Sequence, residues 1–560
     1  MILKRTLDLT QLDAEYTRKL NEIAANCKKE YTEFVDKYSR RYGSNHLWWA
    51  LPFSSRNIYL DETFQNICYL DLCGRVIHNG EIDRIILANK ALRDTLLINY
   101  KQELASKGIT LEYHAKGFRL YAITIGMLRS LKTEFKEFCQ IRKYGRRKKY
   151  GMKDAITLID TPVLSSSFES GRYKDRYFSG IQKYTEHNIY FLPSLMRNTS
   201  TSWMEFMKGV RTSTDYKFLL KHDFLKLSDF LEVLRYFLFC VQLSFRRYKY
   251  RDNDVTPLIK ESLLRGCACA PSLKGVLNYQ FIKHLSKSEI KIECLISWYE
   301  GRPSEIMMQK AFRKYYPKVK CVGYIGFPYF ELSLGEYISK EQYKQKAAPL
   351  KMTVPGAIYE KQARQFCKEL SLIRVPILRN SYVYAHKDVN VTASSNKKIL
   401  VVLPYFKEAA ADILHILNKY IKLHSEADYY ISVKNHPAFK GKTADYYLNE
   451  NLCFSPQYVE GDLVECVQGI DCALLSCSTA SLEILSQGVF LVNLCPRGKL
   501  RSTAIPDEID EKLYKIVYNE EELFEALDFG MGEGRGFTAT LDTTEILEPI
   551  NEETINRMWD

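Results

Sequence analysis

The sequence predicts an α/β protein of two domains, each built around a parallel β-sheet. Its 560 residues exceed what one ordinary hydrophobic core holds, so we expect two domains of roughly 200 to 350 residues. A strand, a helix and a second strand follow one another within residues 292–325, and a similar alternation starts abruptly at Ile399. Units of this kind connect parallel strands, which makes a two-sheet α/β architecture the expected fold.

The first half of the chain contributes helices and strands before the first of these units. We expect a charged helix up to about residue 40, strands at 85–87, 109–113 and 155–159, a helix at 90–106, and mostly helical structure from 186 to 290. In the first helix Leu20, Ile23 and Tyr31 fall at helical spacing and supply one apolar face. The N-terminal domain should therefore carry extra helices.

The two alternating units set the domain boundaries. In the first unit we expect strands at 292–297 and 319–325 around a helix at 304–315. In the second we expect strands at 399–403, 429–433, 473–475 and 490–493, with a helix at 409–423. A looser stretch separates the two units. The predicted division is an N-terminal domain (1–350), a linker (351–396), a C-terminal Rossmann-like domain (397–540), and a tail (541–560) that we expect to form a helix packing back on the first domain.

Composition indicates a globular protein of the cytoplasm. Apolar residues make up 46% and charged residues 26%, which is ordinary for a folded soluble domain. The 15 cysteines show no extracellular pattern, and the first residues lack the apolar core of a signal peptide. We therefore expect reduced cysteines. Cys267 and Cys269 have no second pair at a zinc-site spacing, so no metal site is expected.

The net charge of +13 indicates an anionic partner. No zinc-finger, RNP-like or helix-turn-helix pattern appears, so we do not expect nucleic acid. Two apolar helical segments, 118–138 and 230–245, run into the basic, tyrosine-rich tails Arg142–Tyr150 and Arg246–Arg251. Such tails suit the inner leaflet of a membrane, which predicts a peripheral membrane contact. The alternative is that both segments are core helices with solvated charged ends.

Two segments about forty residues apart predict a nucleotide-sugar site. Ile431–Pro437 and Ala473–Gly488 each lead from an apolar strand into a polar turn, and the second turn carries hydroxyls at the start of a helix. The unpaired N–H groups at a helix start favour a phosphate, and His436 at the end of a neighbouring parallel strand would open onto the same edge. The alternative is that His436, Ser478 and Thr479 simply cap a strand and a helix.

These motifs carry a resemblance to a known family. Asn435-His-Pro437, followed by Ser476-Cys-Ser-Thr479 and by Glu483 to Gly488, resembles the C-terminal half of GT-B glycosyltransferases that make bacterial capsule and lipopolysaccharide. The similarity is closest to enzymes that use CMP-activated sugars, such as polysialyltransferases and Kdo transferases. Trp298 to Pro303 and Val322 to Gly326 resemble an N-domain signature of surface-carbohydrate biosynthesis proteins. The resemblance implies two Rossmann-like domains facing each other across a cleft.

The resemblance also implies roles for individual residues. The predicted nucleotide-binding residues are Lys434, His436, Pro437, Ser476, Ser478, Thr479 and Glu483. Two departures from the family pattern stand out. Cys477 interrupts the paired serines, and Ile325-Gly326 replaces a Gln-His pair.

Transfer of a sugar also needs a base for the acceptor hydroxyl. Glu300 and Asp160 are the predicted catalytic residues because each lies at the carboxyl end of a predicted strand, where α/β sheets place ligands. We expect a metal-independent glycosyltransferase with a CMP-sugar donor, no cofactor, and a glycan or lipid-linked glycan acceptor. The alternatives are a CDP-polyol phosphotransferase of the teichoic-acid type and a non-catalytic assembly partner.

Overall fold

The computed structural model describes residues 5–87, 89–113, 120–144, 150, 154–169, 172–196, 201–379, 397–424, 429–476, 478–501, 503–532 and 546–560. The strands are, in chain order, β1 (Thr6–Asp8), β2 (Arg84–Leu87), β3 (Thr110–Tyr113), β4 (Ile156–Leu164), β5 (Phe168–Glu169), β6 (Arg172–Tyr173), β7 (Ile189–Met196), β8 (Lys249–Tyr250), β9 (Asn253–Asp254), β10 (Ile292–Trp298), β11 (Lys320–Tyr324), β12 (Lys351–Val354), β13 (Ser371–Arg374), β14 (Lys397–Val402), β15 (Tyr429–Lys434), β16 (Gln457–Tyr458), β17 (Cys472–Leu475), β18 (Phe490–Leu494) and β19 (Tyr514–Val517).

The helices are, in the same order, α1 (Ala14–Tyr42), α2 (Pro52–Ser55), α3 (Thr63–Asn79), α4 (Lys90–Lys107), α5 (Leu120–Tyr144), α6 (Trp203–Thr212), α7 (Phe230–Ser244), α8 (Thr256–Gly266), α9 (Ala270–Leu285), α10 (Pro303–Tyr315), α11 (Lys340–Lys344), α12 (Ala357–Arg364), α13 (Lys407–Leu423), α14 (Ala444–Tyr447), α15 (Leu463–Cys466), α16 (Ala480–Leu485), α17 (Glu520–Met531) and α18 (Glu552–Asn556). Among the residues described, no helix is both long and apolar enough to cross a lipid bilayer.

The first lobe is built on a six-stranded sheet with the order β13-β12-β11-β10-β4-β7. All neighbouring strands in it are parallel. Strand order reverses between β4 and β10, and ligands of open α/β sheets bind outside the carboxyl ends of strands at such a reversal. β4 and β10 stay paired as far as Asp160 and Ser297, while β4 continues alongside β7 to Leu164.

The second lobe is built on another six-stranded parallel sheet, in the order β16-β15-β14-β17-β18-β19. Numbered within the lobe, this is the 3-2-1-4-5-6 order of the Rossmann fold, with its reversal between β14 and β17. α13 and α17 cover one face of this sheet through a core of their own, and the residues of the other face join the core of the first lobe.

Extra helices surround the first lobe together with a small parallel sheet of β1, β2 and β3. α1 begins where the Asp13 carboxylate accepts a hydrogen bond of 2.8 Å from the Tyr16 N–H, and it buries Leu20, Ile23 and Tyr31 as expected. The predicted fold class is confirmed. The chain forms a GT-B-like pair of Rossmann-type lobes with added helices in its N-terminal half.

The structure differs from the expectation in two segments of the first lobe. β7 lies within 186–290, which was expected to be mostly helical. β12 and β13 lie within 351–396, which was expected to be a linker, and they extend the first sheet instead. The remainder of that segment, 380–396, is outside the described residues. The physical reason is their length. The strands that begin at Lys351 and Ser371 have only four residues each, and they form by pairing with the edge of the existing sheet.

Residues 498–501 and 503 of the second lobe contact the first lobe along α1 and at Glu331, and they fix the two lobes to each other. The Gly498 N–H donates to the Thr17 hydroxyl at 3.1 Å, and the Gly498 carbonyl accepts from the Tyr69 hydroxyl at 2.6 Å. Gly498 has a φ of +63°, a conformation that favours glycine. Arg501 forms an ion pair with Glu331 of the first lobe, and Lys28 lies 3.4 Å from the same carboxylate. We call these contacts the interlobe clamp.

Residues 546–560 return to the first lobe. The Glu548 N–H donates to the Pro355 carbonyl at 2.7 Å, and the Lys320 ammonium donates to the Trp559 carbonyl at 2.8 Å. The Trp559 ring stacks on His187 with ring centroids 5.4 Å apart. The segment therefore spans the amino end of β11, the carboxyl end of β12 and the start of β7.

The interlobe clamp predicts a pH-dependent stability. Burial raises the pKa of Glu331, but the charges of Arg501 and Lys28 outweigh this and hold it below its usual 4.5. A carboxyl whose pKa is lowered by folding stabilises the fold above its unfolded pKa and loses that contribution as the pH falls through its folded pKa. We expect Glu331→Gln to lower the free energy of unfolding by about 2 kcal/mol near neutral pH.

Denaturant unfolding at neutral pH and at about pH 4 measures this effect. The difference between wild type and variant should shrink at the lower pH. Glu460→Gln is the matched control, because it removes an exposed ion pair with Lys440 and should stay within about 0.5 kcal/mol of wild type. An equal loss in both variants at neutral pH would contradict the assignment.

Candidate functional site

The carboxyl ends of the central strands of the second sheet carry the predicted nucleotide-binding residues. β14 leads to Tyr405, β15 leads to His436, and β17 leads to Ser476. Because β15, β14 and β17 are adjacent and parallel, these three positions lie along one edge of the sheet. The structure therefore brings the two predicted segments to the same edge, beside the reversal of strand order.

His436 is oriented by its own backbone. It caps the short 3-10 helix Pro437–Phe439, and its Nδ1 accepts a hydrogen bond of 3.1 Å from the Ala438 N–H. Because Nδ1 is an acceptor, the neutral ring carries its proton on Nε2 and can donate from there. The ring contacts Tyr405 edge-on, with centroids 5.3 Å apart. His436 is thus a half-buried donor on the carboxyl edge of the sheet.

The positive charges of two arginines of the first lobe act on His436. Partial burial lowers the pKa of His436, and the positive charges of Arg176 and Arg379 lower it further. Arg379 also packs over the Tyr177 ring at 5.7 Å, and Tyr177 packs edge-on against Trp298 with centroids 4.7 Å apart. The structure therefore places two cations from one lobe and a histidine donor from the other at the same junction. An anion such as a phosphate would match this arrangement.

The hydroxyl turn after β17 is partly engaged in capping. The Ser478 hydroxyl accepts a hydrogen bond of 3.2 Å from the Ala480 N–H, while Ser476 is buried at the strand end. Thr479 is half-buried, and Glu483 is buried within α16, which is only six residues long. The Ser478 hydroxyl thus bonds within its own turn, and the N-cap residue of α16 is Thr479. Cys477 lies outside the described residues.

Lys434 and Pro437 hold the backbone around His436. The Lys434 ammonium donates to the Gly461 carbonyl at 2.6 Å, which ties the end of β15 to the loop before α15. Pro437 occupies the first position of the 3-10 helix and is exposed. Both residues are adjacent to the site, and they stabilise the backbone on either side of His436.

Asp160 lies where β4 and β10 separate in the first sheet. Its carboxylate accepts a hydrogen bond of 3.2 Å from the Ser297 hydroxyl, and only 4% of the residue is exposed. Burial raises the pKa of Asp160 to about 7, partly offset by this hydrogen bond and by the charge of Lys221. A carboxyl with a pKa in this range can exchange a proton at neutral pH, which is the property of a general base.

Glu300 follows β10 at the same edge, and its carboxylate is already engaged. It accepts a hydrogen bond of 2.6 Å from the Trp298 indole and forms an ion pair with Arg302. Gly301 forms the turn between the two ion-pair partners with a φ of +68°, and a Cβ there would lie 1.9 Å from the Gly335 carbonyl oxygen. Glu300 is therefore fixed beside Trp298, whose ring packs against Tyr177.

Gly326, one of the positions that departs from the family pattern, lies against the Trp298 ring. A Cβ at this position would lie 2.3 Å from the Trp298 ring. The indole therefore occupies the space in which a longer side chain at position 326 would begin. A histidine at position 326 could therefore enter only if Trp298 moved.

A cavity of about 1210 Å³ lies between the lobes on the other side of the β14 end. Asp61 and Arg265 line it from the first lobe, and Phe406, Asp412 and Arg497 line it from the second. Phe406 contacts Tyr405, which contacts His436, so this aromatic pair separates the cavity from the histidine. The cleft thus has two sides. One carries His436 near the charges of Arg176 and Arg379, and the other is the cavity, which is lined by side chains of both signs.

Sequence reasoning missed Arg176, Tyr177 and Arg379. They lie outside the regular elements, and no local pattern marks them. Arg176 belongs to a turn in which the Asp175 carboxylate accepts from the N–H groups of Tyr177 and Phe178, at 3.0 and 3.2 Å. That Asp-based turn is a local signal for a loop, but not for a partner on another lobe.

The charge environment of His436 is testable by NMR titration. We expect a neutral ring with its proton on Nε2 at neutral pH and a pKa below the ~6.5 of an unperturbed histidine. Arg379→Gln should raise this pKa because it removes one opposing positive charge. Arg497→Gln removes an exposed arginine on the cavity side and should leave the pKa unchanged. A proton on Nδ1, or equal shifts in both variants, would contradict the described geometry.

Comparisons with known proteins find likeness in structure only. No protein-family model matches the chain, and no curated protein sequence matches it. Among solved structures, UDP-GlcNAc 2-epimerase from Neisseria meningitidis bound to UDP-GlcNAc aligns with a TM-score of 0.41 and 10% identity over 72% of this chain and 98% of its own.

Two other structures give similar values. The α,α-trehalose 6-phosphate synthase from Burkholderia multivorans aligns with a TM-score of 0.40 and 8% identity, over 73% of this chain and 96% of its own. A glycosyltransferase from Rickettsia africae aligns with a TM-score of 0.40 and 12% identity, over 73% of this chain and 100% of its own. At such scores and identities the likeness identifies neither a reaction nor a donor.

Proposed function

We propose that this protein is a glycosyltransferase that binds the phosphate of a nucleotide-activated sugar at the junction of its two lobes. The observation that carries the proposal is the convergence of His436 with Arg176 and Arg379 at the carboxyl edge of a Rossmann-type sheet. A phosphate leaving group gains negative charge as the bond to the sugar breaks. Donors fixed in place before the reaction stabilise that charge without reorganisation.

For the donor we propose a CMP-activated sugar of the nonulosonic acid or Kdo type. The support is the pairing of the Asn435-His-Pro437 turn with the hydroxyl turn after β17, which the fold places on adjacent parts of one edge. Arginine and histidine supply the stabilising charge in this proposal, so we expect transfer to persist in the presence of a chelator. The role that follows is surface-polysaccharide biosynthesis in the cytoplasm.

For the acceptor we propose a glycan or lipid-linked glycan that enters through the interlobe cavity. Its volume of about 1210 Å³ exceeds the size of typical small-ligand pockets, and side chains of both signs line it, among them Asp412 and Arg497 of the second lobe. The acceptor hydroxyl must then lose a proton to a carboxylate. Asp160 and Glu300 are the proposed candidates, and the pKa of about 7 for Asp160 favours it as the base.

A second candidate function is that of a nucleotide-binding assembly partner without turnover. The specific observation is that Trp298 fills the space at Gly326, where relatives carry a histidine. A CDP-polyol phosphotransferase would also use a histidine in a nucleotide cleft, and its donor would be a cytidine diphosphate. Nucleotide selectivity together with a turnover assay separates these possibilities from the leading one.

The first test is a thermal-shift comparison of CMP, CDP, UDP and GDP. A ligand that binds only the folded state raises apparent stability by mass action. We expect the largest shift with CMP and a roughly 10- to 100-fold loss of CMP affinity in His436→Ala, because a hydrogen bond to a charged group is removed.

His78→Ala is the matched control because that histidine is exposed at the end of α3, in the other lobe. It should bind CMP as wild type does. Equal binding by His436→Ala would overturn the phosphate assignment, and a larger shift with UDP would replace the proposed donor. Binding without turnover of any CMP-sugar would favour the assembly-partner function.

The second test identifies the base from the pH dependence of turnover. If Asp160 takes the acceptor proton, kcat rises with pH through about 7 as this carboxyl ionises. Asp160→Asn should lower kcat by roughly 10²- to 10⁴-fold and abolish that limb of the profile. Glu300→Gln should keep the limb if Glu300 only positions the wall of the cleft. A limb that survives in Asp160→Asn and disappears in Glu300→Gln would reverse the roles.

A further inference from the structure

One face of α7 exposes an unbroken apolar stripe. Leu227, Leu231, Leu234 and Leu238 are 60%, 60%, 44% and 65% exposed, and Phe245 at the helix end is 78% exposed. Leu227 lies in the 3-10 turn that precedes α7. From Leu231 to Phe245, steps of three, four and seven residues place the side chains along one side of the helix. The opposite side of α7 is buried, so the stripe is an outer face and not a disordered end.

α5 lies beside this stripe. Phe135 and Phe138 of α5 contact Phe230 at the start of α7, with ring centroids 5.3 and 5.5 Å apart, and both helices pack against α9. α5 exposes Ile125, Leu128 and Phe135 on its outer side. We call residues 123–143 and 226–247 together the α5–α7 face. The two segments meet at the Phe230 contacts, and each exposes apolar side chains.

The charge on the α5–α7 face has one sign. Every lysine and arginine in the two segments is exposed, namely Arg129, Lys132, Lys136, Arg142, Lys143, Lys226, Arg235, Arg246 and Arg247. The acidic residues there are withdrawn: Glu134 and Asp229 are buried, and Glu137 and Glu232 are only half-exposed. Glu232 is further neutralised by an ion pair with Arg235.

We propose that the α5–α7 face binds the surface of an anionic lipid bilayer. Exposed leucine and phenylalanine side chains would enter the boundary between head groups and acyl chains, and the basic residues around them would meet the anionic head groups. Charge complementarity decides against a second copy of this chain. Pairing two such faces would bring eighteen exposed cationic side chains together, nine from each copy, with few exposed carboxylates to neutralise them.

This surface differs from the basic, tyrosine-rich tails predicted from the sequence. Tyr248 and Tyr250 are buried, and Arg251 forms ion pairs with Glu30 and Asp71. The hydroxyl of Tyr150 donates to Asp223 at 2.7 Å, while 145–149 lie outside the described residues. Only Arg142, Lys143, Arg246 and Arg247 of the described tail residues remain on the α5–α7 face. The helical stripe, and not a tyrosine belt, supplies the apolar contact.

The test is co-sedimentation of the full-length protein with vesicles. One set contains phosphatidylcholine alone, and the other contains phosphatidylcholine and phosphatidylglycerol in equal parts. We expect binding to the anionic vesicles only, and weaker binding as salt is added because the head-group contacts are screened. Wild-type protein that binds neither set, or both sets equally, would overturn the proposal.

Two variants separate the apolar and the charged contributions. Leu231→Gln/Leu234→Gln/Leu238→Gln should lower the partition coefficient at least tenfold. Arg246→Gln/Arg247→Gln should lower it roughly fivefold for each charge removed. The matched control is Leu97→Gln/Ile98→Gln/Leu423→Gln, which changes three other exposed apolar side chains on α4 and α13 and should bind as wild type does.

Light scattering measures the oligomeric state and so tests whether the α5–α7 face joins two copies of the chain. A wild-type dimer that dissociates in the triple-leucine variant, together with unchanged vesicle binding, would show that the face joins two copies and would overturn the lipid assignment. If the triple-leucine variant fails to fold, the arginine pair still decides the question, because its side chains are exposed and contribute nothing to the core. Loss of binding in the control variant to the same extent would also contradict the proposal.

Discussion

The interlobe clamp is the interaction on which the rest of the cleft depends. Residues 498–501 and 503 follow β18 and contact α1 and Glu331. These contacts hold the sheet edge that carries His436 against the other lobe. The anion-binding junction takes His436 from one lobe and Arg176 and Arg379 from the other. A rotation of one lobe at the clamp that moves these groups by only a few ångströms would separate them.

The His436 imidazole favours its neutral form at that junction. Partial burial is the main cause of its lowered pKa, and the positive charges of Arg176 and Arg379 add to the effect. A neutral ring with its proton on Nε2 is still a hydrogen-bond donor. The ring therefore keeps a donor at Nε2 without adding a further positive charge beside the two arginines.

The sequence predicts the central elements well because their signals are local. β10, β11, β14, β15 and β18 are buried apolar runs, and α1, α10 and α13 have clear helical spacing. β12 and β13 could not be recognised, since four residues with charged ends become a strand only when a sheet edge is available. β7 contains Pro193, which weakens a strand pattern. The approach of Arg379 to His436 is a tertiary fact that no local pattern contains.

Residues 546–560 give the chain an unusual order of assembly. They bond to Lys320 and Pro355 on the first sheet, although the whole second sheet precedes them in the sequence. During synthesis, the lobe that leaves the ribosome first therefore waits for contacts that are made after the other lobe is complete. A chain that ended before residue 546 would contain every strand of the second sheet but would lack these contacts to the first.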